Sequence, residues 1–124
     1  MKKIILLFFI GCISFQSQSQ TPDWSTSIAT ILYNNCTNCH HDGGIAPFAL
    51  MTFADAVDNG FQMQADVNAS KMPPWPADPN FSHFAYERVL SDYELGAIND
   101  WVNGGMPSGD LSLAPPMPDY SLAT

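Results

Sequence analysis

The sequence feature that most constrains this chain is a pair of cysteines separated by two residues and followed at once by a histidine, Cys36-Thr37-Asn38-Cys39-His40. The chain has three cysteines and three histidines among 124 residues, so composition alone gives this order a chance of about 0.002. The fold must therefore present two thiols and an imidazole at one place.

The spacing of this motif is that of a haem c attachment site. Two thiols separated by two residues can add to the two vinyl groups at one porphyrin edge, and the following histidine then lies under the iron as the proximal ligand. We therefore expect one covalent haem c on Cys36, Cys39 and His40. Three alternatives remain open: a thioredoxin-like redox pair, a zinc site completed by His41 or His83, and a plain disulfide.

The N-terminus has the pattern of an export signal. Two lysines precede a wholly apolar run, Ile4 to Ile10, which fades into polar residues by position 20. The run is too short for a membrane helix, and it predicts a signal peptide over residues 1–19. An uncleaved anchor and a lipid anchor at Cys12 are the alternatives. In each case we expect a periplasmic or otherwise exported protein. If the signal is removed, we expect no membrane span to remain.

The charge balance is strongly acidic. Twelve Asp and Glu face four Lys and Arg, for a net charge of −8. Removal of Lys2 and Lys3 with the signal leaves Lys71 and Arg88 against the same twelve acids, a net −10. Such a chain does not bind nucleic acid through its phosphates, and it favours protein partners with a basic docking patch.

Helical periodicity flanks the motif on both sides. Ile28, Ile31, Leu32 and Cys36 share one helical face, with Asp23 or Ser25 as the cap. The segment from Thr52 to about Ala69 is also helical in pattern and is interrupted by Gly60. Ser91 and Glu94 form a capping box ahead of Leu95, Ile98, Trp101 and Val102, and Gly104-Gly105 ends that helix. With no convincing β alternation, the sequence predicts an all-α fold with long loops.

Several side chains could supply a sixth iron ligand, which in haem proteins is methionine, histidine or nothing. We favour Met72, because the prolines that follow it stiffen its loop and the residue lies 32 positions beyond His40. His83 is the second candidate and Met106 the third. Met63 lies within a helical stretch, where methionine is more often a core residue.

These residues together resemble the class I c-type cytochromes. The resemblance covers about residues 24–110 and includes the C-x-x-C-H motif, the Met-Pro-Pro-Trp segment at 72–75 and the Asp-Trp-Val segment at 100–102. It implies a cytochrome c-like haem domain over residues 20–110, followed by a Pro-rich C-terminal tail at 111–124. It also implies that the Pro47 carbonyl accepts a hydrogen bond from His40 Nδ1, and that the terminal helices cross near the haem edge.

The function expected from these features is one-electron transfer through a single haem with His40 and Met72 as axial ligands, and no enzymatic activity. A haem-based enzyme or gas sensor with an open sixth site is the alternative if Met72 is not a ligand. A redox or metal module that uses the cysteines without haem is a third hypothesis.

Overall fold

A computed structural model of the chain describes residues 21–74, 81, 85 and 88–121. Its helices within these ranges are a π-helical turn at Trp24–Ile28 that continues directly into α1 (Ala29–Asn35), then α2 (Phe53–Asp58), α3 (Gly60–Asn68) and α4 (Asp92–Asn103), and a short 3₁₀ turn at Leu111–Leu113. The described residues contain no β-strand, so the all-α prediction is confirmed for this part of the chain. No helix in these ranges combines the length and the apolar character needed to cross a membrane.

The first helical segment is capped by Asp23, one of the two residues that the sequence offered as its cap. The Asp23 carboxylate accepts hydrogen bonds from the amide nitrogen and the hydroxyl of Thr26, at 2.8 and 2.9 Å, and so caps the segment. At the other end α1 stops at Asn35, and Cys36 is the C-cap residue. The predicted helix that leads into the cysteine motif is therefore confirmed.

The predicted interruption near Gly60 is also present. Asn59 leaves helical geometry and separates α2 from α3. A Cβ at position 60 would lie 2.5 Å from the Met106 sulfur. Glycine therefore lets Met106, which follows α4, pack against the start of α3.

The core is formed where the first helical segment, α3 and α4 meet. The apolar residues that the periodicity placed on one face of each helix are buried or partly buried there, as predicted. The fully assembled core consists of Trp24, Ile28, Ala29, Ile31, Leu32, Leu50, Ala56, Met63, Val67, Ala97, Ile98, Trp101 and Val102. Burial of this set against water is the main force that holds the helices together.

Two tryptophans join helices to other segments of the chain. Trp24 packs edge-on against Tyr33 and Phe53, with ring centroids 6.0 and 6.1 Å apart, and so joins the first helical segment to α2. Trp101 is fully buried, and its indole nitrogen donates to the Pro107 carbonyl at 2.9 Å.

The C-terminal residues continue along the domain. The Ser108 carbonyl accepts from the Ser25 amide nitrogen at 3.2 Å and from the Ser25 hydroxyl at 2.8 Å. Asp110 then caps the 3₁₀ turn, and Ala114 packs against the core. The segment predicted as a Pro-rich tail thus lies against the helices as far as it is described.

Removal of the N-cap hydroxyl of α4 should destabilise the protein. Ser91 Oγ accepts from the Glu94 amide nitrogen while the Glu94 carboxylate accepts from the Ser91 amide nitrogen, which is the predicted capping box. We expect Ser91→Ala to lower the free energy of unfolding by about 1 kcal/mol, measured by urea denaturation. Ser91→Thr keeps the hydroxyl and should stay close to the wild type; equal losses in both variants would contradict this account.

The same cap should make stability depend on pH. Burial acts to raise the pKa of Glu94, but hydrogen bonds from Ser91 and Asn35 outweigh it and lower the pKa from its ordinary value of 4.5. The stabilisation is therefore present above that ordinary value and is lost as the pH falls through the lower pKa of the folded state. We expect the stability difference between wild type and Glu94→Gln to shrink as the pH is lowered from 7 to 3.

A control for this pH dependence is Asp58→Asn, which removes a carboxylate from an exposed position of α2. It reports the effect of net charge alone. A pH-dependent difference of the same size in both variants would show that the Glu94 hydrogen bonds are not its source.

Candidate functional site

The cysteine motif forms a tight turn at the C-terminal end of α1. The Cys36 carbonyl accepts hydrogen bonds from the amide nitrogens of Cys39 and His40, at 3.1 and 3.0 Å. The Cys36 amide nitrogen in turn donates to the Leu32 carbonyl at 2.8 Å, which ties the turn to the helix. Both cysteines are partly buried and neither forms a disulfide.

The imidazole of His40 has a defined orientation. The residue is 8% exposed, and its Nδ1 lies 2.9 Å from the Phe48 carbonyl oxygen. A carbonyl can only accept, so Nδ1 carries the proton and Nε2 keeps the lone pair needed for metal ligation. A hydrogen bond of this kind also raises the basicity of a histidine ligand.

The hydrogen-bond partner of His40 differs from the residue that the resemblance implied. The expected acceptor was the Pro47 carbonyl, but the structure has the Phe48 carbonyl in that position. The loop after the motif is closed by bonds from the Ala46 amide nitrogen to the Cys39 carbonyl and from the Leu50 amide nitrogen to the His40 carbonyl. These two bonds set the register of the loop, and that register brings Phe48 to the imidazole.

The two glycines of this loop are required by its close turn. Gly43 has a φ of +76°, which L-residues with side chains rarely adopt. A Cβ at Gly44 would collide with the backbone carbonyl of Cys39. The Gly-Gly pair therefore lets the chain fold back over the motif.

A large cavity of about 910 Å³ opens beside the motif. This volume falls at the upper end of the range typical for small-molecule and cofactor sites, about 300–1,000 Å³. Its walls are mostly apolar. They come from the motif and the loop that follows it, from α3, and from residues between α3 and α4. The residues that line it are Asn35, Cys36, Cys39, His40, Ile45, Ala46, Pro47, Phe48, Leu50, Gln62, Met63, Asp66, Val67, Met72, Pro73, Pro74, Ala85 and Arg88.

All four of the predicted site residues are brought together at this cavity. Cys36, Cys39 and His40 line it from the motif, and Met72 lines it from the loop after α3. The Asp66 carbonyl accepts from the amide nitrogens of Lys71 and Met72, at 2.9 and 3.3 Å. The position of Met72 is thus set by the last turns of α3.

The other residues that the sequence singled out lie in different places relative to the cavity. Met63, expected as a core residue, is 6% exposed within the core and also lines the cavity. Met106, the third candidate, does not line the cavity and packs against Gly60. His83, the second candidate, and Trp75 lie outside the described residues.

Sequence reasoning missed the polar part of the lining. Arg88 and Asp66 border the cavity, and Gln62 Nε2 donates to the Asp66 carboxylate at 2.8 Å. The signal for Arg88 was its rarity, because it is one of only two basic residues beyond the export signal. No local pattern pointed to Gln62 or Asp66, which occupy an ordinary polar stretch of helix.

The Cys36 thiol lies in a poorly solvated environment. Burial raises its pKa to about 12; the positive charge of Arg88 opposes this shift, while Glu94 and Cys39 add to it. Cys36 is accordingly a neutral thiol at physiological pH in the ligand-free chain.

Among the residues that the structure describes, no three His, Cys, Asp or Glu side chains are grouped so that they could hold a metal ion. Comparisons with models of protein families, with curated proteins and with solved structures find no match for this chain. The fold and the site define a helical protein with a large apolar cavity bordered by a C-x-x-C-H motif.

Proposed function

We propose that this protein is a single-haem c-type cytochrome that transfers one electron at a time. The observation that carries the proposal is the composition of the cavity: both cysteines, the motif histidine and Met72 border one apolar space of about 910 Å³. The small, loop-rich helical fold and the resemblance to class I c-type cytochromes support the same conclusion. Electron transfer, rather than enzymatic turnover, is the activity proposed.

The residues of the motif fit the requirements of haem c. Cys36 and Cys39 are free and border the cavity, so both thiols are available for thioether bonds. His40 offers Nε2 as the proximal ligand because Nδ1 is engaged by the Phe48 carbonyl. When bound, haem would supply a one-electron Fe(III)/Fe(II) couple.

Met72 is the proposed sixth ligand, ahead of Met63. Its backbone is held by the Asp66 carbonyl, and prolines follow it, so its loop loses little conformational entropy on ligation. Its side chain is 38% exposed and is not part of the core. Met63 belongs to the core, where its thioether contributes to packing, and we propose that it forms an apolar wall of the haem site.

Among the described residues that line the cavity, Arg88 is the only lysine or arginine. A guanidinium presents a planar set of donors that matches a carboxylate. Haem carries two carboxylates, and we propose that Arg88 binds one of them.

The cellular setting follows from the same proposal. Thioether attachment of haem takes place outside the cytoplasm, which agrees with a signal peptide over residues 1–19, or with a lipid anchor at Cys12. The net charge of −10 beyond the signal favours redox partners with a basic docking patch. Association with such partners should weaken as salt is added, because the attraction is screened.

Covalent haem is the first testable consequence. We expect the protein exported to the periplasm to retain haem after denaturation and acid extraction, with a pyridine haemochrome spectrum of about one haem per chain. A Cys36→Ser/Cys39→Ser double variant should retain none. Wild-type protein without extraction-resistant haem would contradict the proposed function and favour a haem-free redox or metal module.

The sixth ligand can be tested with matched methionine variants. We expect Met72→Ala to abolish the low-spin, six-coordinate spectrum and to lower the midpoint potential by on the order of 100 mV, because a thioether ligand favours Fe(II). Met106→Ala removes the same side chain from a position outside the cavity lining and should leave both properties unchanged. An unchanged spectrum in Met72→Ala would refute the assignment.

Carbon monoxide binding completes this test. Reduced wild-type protein with a Met72 ligand should bind carbon monoxide slowly, and Met72→Ala should bind it rapidly. Equally rapid binding by both proteins would favour an open sixth site, as in a haem enzyme or gas sensor.

A further inference from the structure

Tyr120, near the C-terminal end of the described chain, contacts the cysteine motif. Its hydroxyl lies 2.8 Å from Thr37 Oγ1, and its ring stacks on the imidazole of His41 with centroids 4.2 Å apart and an interplanar angle of 16°. Thr37 lies between the two cysteines and His41 directly follows His40. One tyrosine therefore contacts the turn on both sides of the proposed proximal ligand.

The proton positions in the contact with Thr37 can be assigned. Thr37 Oγ1 donates to the Tyr33 carbonyl at 3.1 Å, and that carbonyl can only accept. The single hydroxyl proton of Thr37 is thus used, so the Tyr120 hydroxyl must be the donor in the second bond. Thr37 is fully buried, and a buried hydroxyl bonded on both sides is held in one orientation.

The contact with His41 is equally specific. His41 Nδ1 lies 2.8 Å from the Thr37 carbonyl and donates to it, which fixes the plane of the imidazole. The Tyr120 ring lies nearly parallel to this fixed plane. The stack therefore depends on the conformation of the motif turn, and in return restrains it.

The chain reaches this position by an anchored path. Residues 107 and 108 are bonded to the first helical segment, the turn Leu111–Leu113 is capped by Asp110, and Ala114 packs on the core. Prolines at 115, 116 and 118 limit the backbone freedom of the remaining residues. The residues on either side of Tyr120 are joined by a hydrogen bond: the Asp119 carboxylate accepts from the Ser121 amide nitrogen at 2.9 Å.

We propose that residues 111–121 form a strap over the cysteine motif, and that Tyr120 is a positioning residue that holds the turn at 36–41 and thereby the orientation of His40. Tyr120 contacts Thr37 and His41, which stand on either side of Cys39 and His40 in the chain, and so restrains the turn that carries the imidazole. The consequence for electron transfer rests on the proposed function, whereas the restraint on the turn does not depend on haem.

The strap should affect two measurable properties. Without Tyr120 the amide nitrogens of Cys39 and His40, which donate to the Cys36 carbonyl, should open more often to solvent. A less ordered His40 ring would lose part of its hydrogen bond to Phe48 and become a weaker donor to iron. A weaker donor stabilises Fe(III) less, so the midpoint potential should rise.

The test compares Tyr120→Phe, Tyr120→Ala and the control Tyr93→Ala in the purified, haem-loaded full chain. Tyr93 is an exposed tyrosine on α4. Hydrogen exchange at Cys39 and His40 should become about fivefold faster in Tyr120→Phe, which loses one hydrogen bond and keeps the ring. It should become about tenfold faster in Tyr120→Ala, with a raised midpoint potential. Tyr93→Ala should match the wild type in both measurements.

The proposal is overturned if Tyr120→Ala leaves either the exchange rates or the midpoint potential at the wild-type value. If Tyr120→Ala does not fold, the exchange rates of Tyr120→Phe decide, and wild-type rates in that variant overturn the proposal. A chain that carries no covalent haem refutes the proposed function instead. In that case the exchange rates alone decide whether the strap exists.

Discussion

The carbonyl group of Pro107 joins the two ends of the helical domain. It accepts a hydrogen bond from the backbone nitrogen of Trp24, at 3.0 Å, and another from the indole nitrogen of Trp101, at 2.9 Å. A carbonyl has two lone pairs, and here both are used by groups that would cost free energy if they were buried without a partner. The start of the first helical segment and the end of α4 are therefore held at one point. From this junction the first helical segment runs to Cys36, the C-cap of α1.

From that junction the site is assembled by backbone bonds more than by side chains. The motif turn is bonded to α1 through the Cys36 amide nitrogen. The loop that follows the motif is bonded to the carbonyls of Cys39 and His40. The loop that carries Met72 is bonded to the Asp66 carbonyl. Such bonds hold polar groups at fixed places around an apolar space without placing polar side chains inside it. Within the described part of the chain, no buried side-chain nitrogen or oxygen lacks a hydrogen-bond partner. The cavity can thus be mostly apolar without leaving unsatisfied groups in its walls.

The helices were predictable because their determinants are local. Asp23, Ser91 and Glu94 act within one turn of the residues that they cap, and the apolar periodicity of α4 is visible in the sequence alone. The motif was predictable for the same reason. Three contacts depend on how loops and distant segments pack, which sequence spacing does not contain. They are the second hydrogen bond that the Pro107 carbonyl accepts, the bond between the Phe48 carbonyl and His40, and the contact of Tyr120 with Thr37. For this reason the sequence predicts a tail at 111–124, although Tyr120 contacts the motif.

In the proposed function, the axial ligands would matter more for stability than the thioether bonds. The two cysteines are three residues apart, so joining them to one group removes little freedom from the unfolded chain. Ligation of one iron by His40 and Met72 would close a loop of about 32 residues, for which the chain-entropy relation for cross-links gives about 3–4 kcal/mol. That is a substantial fraction of the 5–15 kcal/mol by which folded domains are typically stable. The apolar cavity walls would gain further from being covered, since exposed apolar surface costs about 25 cal/mol per Å². The two described cysteines form no disulfide, so the haem would supply the cross-link. The stability of this small chain would then depend on the same haem that gives it its function.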